Sequence, residues 1–313
     1  SCIGVTASEV SPHVGVVFVS CWRYRIADHN DQHSNLTHGR TEQEITMGRI
    51  HKVLEEARRS NLKRSAKSVT KVIAPQHSID FSALPVVVPD EEALKKYHVV
   101  AALNDAPERT AYKVLRTRVL QRLRASRFNV IGVTAASPGE GKTLTAINLA
   151  YSLAQDVNHQ VVLLDLDLRR PSVHEYLGVS PPKDLFDLLD GSAKLEDVLV
   201  CPNANRLATI TCQSPIRDSS EVLSSPEMGS VIHQLKSLGP NTITVVDLPP
   251  TLASDDVIAF SPLVDALMLV VGQGQCRRED LRETEELLRD YEILGVVLNR
   301  SREKSAVGYY DSY

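Results

Sequence analysis

A loop with the residue types needed to bind phosphate lies between Ala136 and Thr143, where the sequence reads ASPGEGKT. It fits the pattern GxxxxGKT except that an alanine replaces the first glycine. The glycines let backbone N–H groups approach phosphate oxygens, the lysine reaches the outer phosphates, and the threonine hydroxyl binds Mg²⁺. The loop therefore predicts nucleotide binding, with contacts from Ser137, Pro138, Gly139, Glu140, Gly141, Lys142, Thr143 and Leu144.

Acidic residues stand at the ends of two apolar runs further along the chain. Asp165 and Asp167 follow one run and precede Arg169, and Asp247 ends the other. Carboxylates beside phosphate are unfavourable unless a cation lies between them, so these acids indicate Mg²⁺. One carboxylate of the first pair could orient metal-bound water while the other accepts a proton from an attacking hydroxyl. The alternative is that they are ordinary surface acids that end strands.

Strands and helices alternate around these residues. An apolar, partly β-branched run at 128–134 predicts a strand before the phosphate loop, and 144–153 predicts a helix after it. Further strands are predicted at 160–166, 242–247, 264–271 and 293–298, and further helices at 108–125, 228–238 and 278–291. The alternation predicts an α/β fold of the P-loop NTPase type, with a mostly parallel sheet covered by helices on both faces and a helical N-terminal segment. The ligand is expected beyond the carboxyl ends of the strands.

The composition is that of a globular chain. The 313 residues are 42% hydrophobic and 24% charged, with a net charge of −4, which gives no argument for nucleic acid as a partner. Five cysteines without a CxxC pair indicate scattered thiols rather than a disulfide framework or a metal site. No apolar stretch approaches the roughly 20 residues of a membrane-spanning helix, so we expect no transmembrane segment and a cytoplasmic protein.

The chain ahead of the phosphate loop is less regular. Residues 1–46 lack a sustained period, and we expect a disordered extension there. Residues 47–100 are predicted to contain an amphipathic helix and a linker, with a brief helix capped by Asp90 and reaching Tyr97. The helix at 108–125 has a basic face, which could be solvated, contact another subunit or bind an acidic partner. Its apolar stripe consists of Ala111, Leu115, Val119 and Leu123.

Three motifs together carry a resemblance to a known family. SPGEGKT, LLDLDLRRP and VVDLPP resemble the Walker A, A′ and B motifs of the bacterial tyrosine kinases (BY-kinases), in which a P-loop ATPase core phosphorylates tyrosine. The basic helix TAYKVLRTRVLQRL resembles the family's EAYRxLRT helix. Ser137 stands where the Min and Par ATPases carry an additional lysine, and the paired CxxC of iron–sulfur carrier ATPases is missing. The resemblance implies a kinase domain at 101–300 and a flexible, tyrosine-containing tail at 301–313.

The resemblance also implies a role for each matching residue. Lys142 binds phosphate, Thr143 and Asp167 serve Mg²⁺, and Asp247 holds metal-bound water. Asp165 is the candidate base and Arg169 neutralises developing charge. Asn299 stands where related ATPases read adenine, although an asparagine in a turn is nearly as good an interpretation. The implied catalytic set is Lys142, Asp165, Asp167, Arg169 and Asp247, with Thr143, Asp167 and Asp247 as the metal-binding residues.

By the same resemblance, the chain is expected to be an ATP- and Mg²⁺-dependent tyrosine autokinase that regulates exopolysaccharide or capsule polymerisation and export. A neighbouring copy would phosphorylate the tail in trans, at Tyr309, Tyr310 and Tyr313. The partner would be a membrane adaptor of the chain-length-regulator type, which recruits the chain to the inner face of the cell membrane. Thr110 and Lys113 depart from the family's helix, which predicts weak self-association. The alternative is a regulatory nucleotide switch of the same assembly with little kinase activity.

Overall fold

The computed structural model describes residues 79–103, 106, 108–202 and 206–301, together with the backbone of 17–19. The predicted amphipathic helix after Met47 and the tail tyrosines lie outside the described residues. None of the described helices has the length and apolarity needed to cross a bilayer.

A seven-stranded sheet forms the centre of the fold, in the order β1-β9-β8-β3-β7-β4-β6. All neighbours in it are parallel except β1, which pairs antiparallel with β9. A second, two-stranded parallel sheet joins β2 to β5. The strands are β1 Val17–Val19, β2 Val86–Val87, β3 Val130–Ala135, β4 Gln160–Asp165, β5 Cys201–Pro202, β6 Leu207–Ile210, β7 Thr242–Asp247, β8 Ala266–Gly272 and β9 Ile293–Asn299.

Helices cover both faces of the large sheet, so the predicted α/β architecture is confirmed. In the described residues these are α1 Glu91–Lys96, α2 Arg109–Ser126, α3 Lys142–Ala154, α4 Val173–Leu177, α5 Leu185–Leu189, α6 Leu195–Val198, α7 Ser219–Leu223, α8 Pro226–Ser237, α9 Asp256–Phe260 and α10 Arg278–Leu288. Short 3₁₀ turns lie at Phe81–Ala83 and Ser261–Leu263.

The core consists of two apolar layers because successive side chains of a strand point to opposite faces of the sheet. Ile131 and Val133 of β3 pack in one layer with α2 and α3. Val130 of the same strand and Val162 of β4 pack in the other layer with α8 and α9. Burial on both faces explains why these strands are almost continuously apolar in sequence.

The folded domain begins before residue 101, which corrects the predicted boundary. Asp90 caps α1 as predicted, accepting a hydrogen bond from the backbone N–H of Glu92 at 3.0 Å. The chain after α1 then enters the core, where Val99 is fully buried. Asn148 of α3 holds this segment by accepting from the N–H of Ala101 at 2.8 Å. A segment with long-range partners of this kind is part of the domain, although its sequence indicated a linker.

The other correction at the N-terminal side concerns Val17–Val19, which fall inside the segment expected to be disordered. These residues form β1 on the edge of the sheet, where Phe18 lies opposite Val297. The edge of β9 offers unpaired backbone groups, and a short apolar β-branched run satisfies them. The remaining residues of 1–46 lie outside the described part of the chain.

The basic helix α2 uses part of its charged face inside its own domain. The predicted apolar stripe is confirmed, with Leu115, Val119 and Leu123 buried. Arg116 donates to the carbonyl of Ser152 at 3.0 Å. The remaining basic side chains that are solvent-exposed on α2 are Lys113, Arg118 and Arg124. Arg122 likewise donates to the carbonyl of Leu294. The face therefore contacts its own domain at Arg116 and Arg122 and is an exposed cationic surface at other positions.

Candidate nucleotide-binding site

The phosphate loop lies at the carboxyl edge of the sheet, between β3 and α3. Gly139 and Gly141 have φ values of 86° and 92°, in the left-handed region that glycine adopts without strain. A Cβ added to Gly139 would meet no heavy atom within 4 Å, so the loop is open on that side. Backbone N–H groups before a helix N-terminus form an anion-binding concavity. The predicted strand–loop–helix arrangement is confirmed.

The side chain of Glu140 holds the loop rather than facing its open side. Its carboxylate accepts hydrogen bonds from the N–H of Ser137 and from the N–H of Gly272, both at 2.8 Å. Only 1% of the residue is exposed. One buried carboxylate thereby joins the phosphate loop to the end of β8. Because the side chain is used within the protein, the nucleotide contact predicted for Glu140 would have to come from its backbone.

Asn299, at the end of β9, also holds the loop. Its Nδ2 donates to the carbonyl of Glu140 at 2.9 Å, and its Oδ1 accepts from the N–H of Arg300 at 2.9 Å. Arg300 in turn donates to the carbonyl of Gly139 at 2.9 Å. A Cβ on Gly141 would lie 2.1 Å from the Asn299 amide nitrogen, so this close approach requires glycine. Adenine recognition by Asn299 stays a prediction.

Lys142, which is predicted to reach the outer phosphates of a nucleotide, is buried and paired with carboxylates. Its Nζ lies 2.6 Å from Oδ2 of Asp167 and 3.4 Å from Oδ1 of Asp247, and only 9% of the residue is accessible. Burial alone lowers the pKa of Lys142, but Asp247 and Asp167 outweigh it and raise that pKa. The ammonium is therefore charged. In this structure it pairs with these carboxylates rather than with the phosphate oxygens that it is predicted to bind.

The two acids of the A′ motif have different surroundings. Asp167 lines the cavity and meets Lys142. Asp165 is fully buried, and its carboxylate accepts from the N–H groups of Asp167, Ser172 and Val173. An extended strand would place these alternate carboxylates on one side. The chain instead turns after Asp165, whose Oδ2 accepts hydrogen bonds from the N–H groups at the start of α4.

The adjacent strands β4 and β7 bring Asp165 and Asp247 into register at the edge of the sheet. Burial, reinforced by Asp247, raises the pKa of Asp165 to about 8. Burial also raises the pKa of Asp247 to about 6, although Lys142 opposes this. Two buried carboxyl groups this close favour protonation of at least one of them.

These residues fit a site for Mg²⁺ that is completed by phosphate and water. Oδ2 of Asp247 is buried without a hydrogen-bond partner among the described residues. Asp167 and the Thr143 hydroxyl lie beside the same ammonium. No group of three acidic, histidine or cysteine side chains in the described residues forms a metal cage. Mg²⁺ commonly binds through one or two carboxylates plus substrate phosphates.

Arg169 lines the cavity while hydrogen bonds hold its Nε. Its Nε donates to the hydroxyl of Ser219 at 2.9 Å and to Oδ2 of Asp256 at 3.3 Å. The side chain is 42% exposed and lines the cavity. Sequence reasoning missed Ser219 and Asp256, because neither belongs to a recognised motif and both lie far along the chain from Arg169.

The cavity has a volume of about 1550 Å³. It is larger than the roughly 300–1,000 Å³ of common small-molecule pockets. Its wall includes most of the predicted site, and also His98 and Tyr176, which were not predicted. The predicted residues in its lining are Pro138, Gly139, Gly141, Lys142, Thr143, Leu144, Asp167, Arg169 and Asn299. Asp165 and Asp247 lie behind this wall, fully buried.

A parallel sheet with a glycine-containing phosphate loop between a central strand and its helix, and with acids at the neighbouring strand ends, defines a P-loop NTPase. Residues 131–311 match the CobQ/CobB/MinD/ParA nucleotide binding domain. The tyrosine-protein kinase CpsD of Streptococcus pneumoniae serotype 4 is 30% identical over 195 residues, which are 60% of this chain and 82% of CpsD. The chain belongs to this nucleotide-binding family and, within it, to the bacterial tyrosine kinases.

A longer relative and a solved structure extend the comparison. The succinoglycan biosynthesis transport protein ExoP of Rhizobium meliloti is 29% identical over 218 residues, which are 67% of this chain but 27% of ExoP. Other long relatives are likewise covered over only 26 or 27% of their length. The crystal structure of the VpsO kinase domain matches with a TM-score of 0.56 and 28% identity, covering 68% of this chain and 100% of that domain.

Proposed function

We propose that this chain is an ATP- and Mg²⁺-dependent protein-tyrosine autokinase that acts in exopolysaccharide or capsule assembly. The observation that carries the proposal is the contact of 2.6 Å between Lys142 and Asp167 inside the cavity, with Arg169 on the same wall. This set supplies a phosphate-binding cation, a metal-binding acid and a further cation for developing charge. The name of CpsD supports the tyrosine-kinase activity, and the name of ExoP supports the polysaccharide context.

The proposed reaction moves the γ-phosphoryl group of ATP to a tyrosine hydroxyl. A bond forms between the tyrosine oxygen and phosphorus, the bond from phosphorus to the bridging oxygen breaks, and ADP leaves. Lys142 would move from its carboxylate partners to phosphate oxygens, and Thr143, Asp167 and Asp247 would hold Mg²⁺. When bound, Mg²⁺ supplies positive charge that offsets phosphate repulsion.

The hydroxyl proton goes to a carboxylate of the chain, for which we propose Asp165. Its pKa of about 8 is near the pH at which a base works best. Asp165 is fully buried, so to accept the proton it must become accessible from the cavity, which requires a shift of the segment at Ser172 and Val173 that donates to its Oδ2. Transfer should therefore increase between pH 6 and pH 8 as the carboxyl group loses its proton. Asp165→Asn should abolish this dependence.

The acceptors that we propose are Tyr309, Tyr310 and Tyr313, on a neighbouring copy. The test mixes Lys142→Met protein, which keeps its tail, with a variant in which all three tyrosines are phenylalanine. After incubation with ATP and Mg²⁺, mass spectrometry should find phosphate on the tail of the Lys142→Met chain. Each variant alone is the control and should stay unmodified. Absence of phosphotyrosine in the mixture and in wild-type protein, with the membrane adaptor present, would refute the kinase proposal.

The second candidate is a nucleotide switch that binds ATP and its adaptor but transfers little phosphate. It is favoured by one observation, namely that both oxygens of Asp165 are already used in backbone hydrogen bonds. Isothermal titration with ATP and Mg²⁺, together with phosphotyrosine detection on the same protein sample, separates the two candidates. Binding without phosphotyrosine supports the switch, and binding with phosphotyrosine supports the kinase.

We propose a membrane adaptor of the chain-length-regulator type as the partner, and the inner face of the cell membrane as the place of action. ExoP is named a transport protein, and the part of it that matches this chain is a minor share of its length. Self-association through the exposed cations of α2 is proposed to be weak, because Thr110 and Lys113 depart from the family's helix. Light scattering at micromolar concentration should find a monomer or loose dimer, and a stable octamer would contradict this.

A further inference from the structure

Arg169 is held by the first residues of two helices. Asp256 begins α9, after the strand that ends at Asp247, and Ser219 begins α7. The hydroxyl of Ser219 donates to Oδ2 of Asp256 at 2.7 Å. The Nε of Arg169 donates to the Ser219 hydroxyl oxygen and to the same Oδ2 of Asp256. The three side chains form a closed triangle of hydrogen bonds.

Two members of this triangle are buried, whereas the third, Arg169, lines the cavity. Asp256 and Ser219 are both 0% exposed. The guanidinium is the cation within ion-pair distance of Asp256 among the described residues. A buried carboxylate is costly unless a cation and hydrogen bonds compensate it. Arg169 is therefore kept in place by the strong preference of Asp256 for a charged partner.

The geometry of the pair is not the one that would stabilise it most. Arginine and aspartate usually pair through two parallel hydrogen bonds, which engage both carboxylate oxygens. Here only Nε is engaged, and Oδ1 of Asp256 has no partner among the described residues. The terminal Nη groups of Arg169 likewise make no hydrogen bond to the described residues. An arrangement that leaves the donor end of arginine free leaves it available to a ligand in the cavity.

We propose that Asp256 and Ser219 are positioning residues that direct the Nη groups of Arg169 toward the phosphoryl group being transferred. The inference rests on the proposed kinase function. Nε fixed from behind limits rotation of the guanidinium, so that its charge is already in place when charge develops on the reacting oxygens. A misplacement of about 1 Å in such a group can cost about 100-fold in rate.

The test compares Asp256→Asn and Ser219→Ala with the control Asp255→Asn. Asp255 is the exposed neighbour of Asp256 and carries the same charge. Transfer to the tail of excess Lys142→Met protein gives the rate, and isothermal titration gives ATP affinity. We expect both variants to lower kcat by about 10- to 100-fold, with ATP affinity within about threefold of wild type. The control should match wild type in both measurements.

A double variant separates positioning from general damage to the fold. If Asp256 acts through Arg169, Asp256→Asn should slow Arg169→Gln protein by less than about twofold further. Additive losses, or unchanged transfer in both Asp256→Asn and Ser219→Ala, would overturn the proposal. Ser219→Ala removes a single hydroxyl and keeps the buried charge pair, so it remains informative if Asp256→Asn fails to fold.

A readout without catalysis keeps the proposal distinct from the kinase function. The Nε–H signal of Arg169, identified by its loss in Arg169→Lys, should exchange slowly with water in ¹⁵N NMR spectra. Asp256→Asn and Ser219→Ala should each speed the exchange about tenfold, and Asp255→Asn should not. Unchanged exchange refutes the positioning. Slow exchange in a wild-type chain that transfers no phosphate refutes the kinase function alone.

Discussion

Replacing Lys142 with methionine is expected to destabilise the protein at pH 8, besides removing ATP binding. The lysine side chain is 11% exposed, and its partners Asp167 and Asp247 are 8% and 0% exposed. Methionine fills a similar volume but removes the cation that these carboxylates face. The substitution is therefore a test of the buried ion cluster as well as of the phosphate loop.

The expected loss follows from the burial of the cluster. Removing one partner of a buried ion pair costs about 3–5 kcal/mol in the free energy of unfolding. For a domain of this size, each kcal/mol lowers Tm by about 2–4 °C, so the variant should melt roughly 6–20 °C below wild type at pH 8. The carboxylates can relieve part of this loss by binding protons, so we expect the fall in Tm to lie in the lower part of that range.

The loss should shrink as the pH falls, and the sign follows from the pKa values. The pKa of Asp247 is raised to about 6 and that of Asp165 to about 8, from an ordinary 3.8. Groups with raised carboxyl pKa values favour folding when protonated, so their unfavourable contribution grows as the pH rises from about 4 through those values. Without Lys142 these pKa values rise further. At pH 5 Asp165 and Asp247 are largely protonated, so the missing cation leaves less negative charge uncompensated.

Thermal unfolding followed by circular dichroism at pH 5 and pH 8 measures this effect. The matched control is Lys113→Met, which replaces an exposed lysine on α2 and should change Tm little at either pH. A Lys142→Met protein that melts like wild type at pH 8 would refute the buried cluster. An equal loss at both pH values would refute its electrostatic origin.

Three further outcomes are expected from the same geometry. Glu140→Gln should weaken ATP binding about tenfold or more, measured by isothermal titration, because an amide can accept only one of the two backbone hydrogen bonds that the carboxylate accepts; unchanged affinity would show that this tie is dispensable. Gly141→Ala should nearly abolish binding and lower Tm, because its φ is 92° and its Cβ would lie 2.1 Å from the Asn299 amide; wild-type behaviour would contradict the close approach. A chain beginning at Ile79 should retain the cooperative thermal transition of the domain, whereas one beginning at Ala101 should lose much of its stability, since it lacks Val99 and other buried residues; equal melting temperatures would restore the later boundary.

Local patterns in the sequence predict much of the fold and the site's location. A strand buried on both faces must be apolar along its whole length, so β3, β4 and β7 stand out from the polar segments between them. The phosphate loop has a fixed spacing, because glycines and a helix N-terminus must surround one anion. Parallel strands end at a common edge, which brings Asp167 and Asp247 toward Lys142 without knowledge of any contact.

Motifs in the sequence predict the class of site, whereas the role of each side chain depends on tertiary contacts. Asp165 and Asp167 belong to the same motif, yet their surroundings differ. Asp165 is buried and accepts hydrogen bonds from the start of α4, whereas Asp167 lines the cavity. Glu140 belongs to a nucleotide-binding motif, but its carboxylate accepts a hydrogen bond from the N–H of Gly272. Asp256 reaches Arg169 only because α9 and the loop after β4 pack together. These contacts join residues that are distant along the chain, so they depend on how elements pack, and no local periodicity encodes that packing.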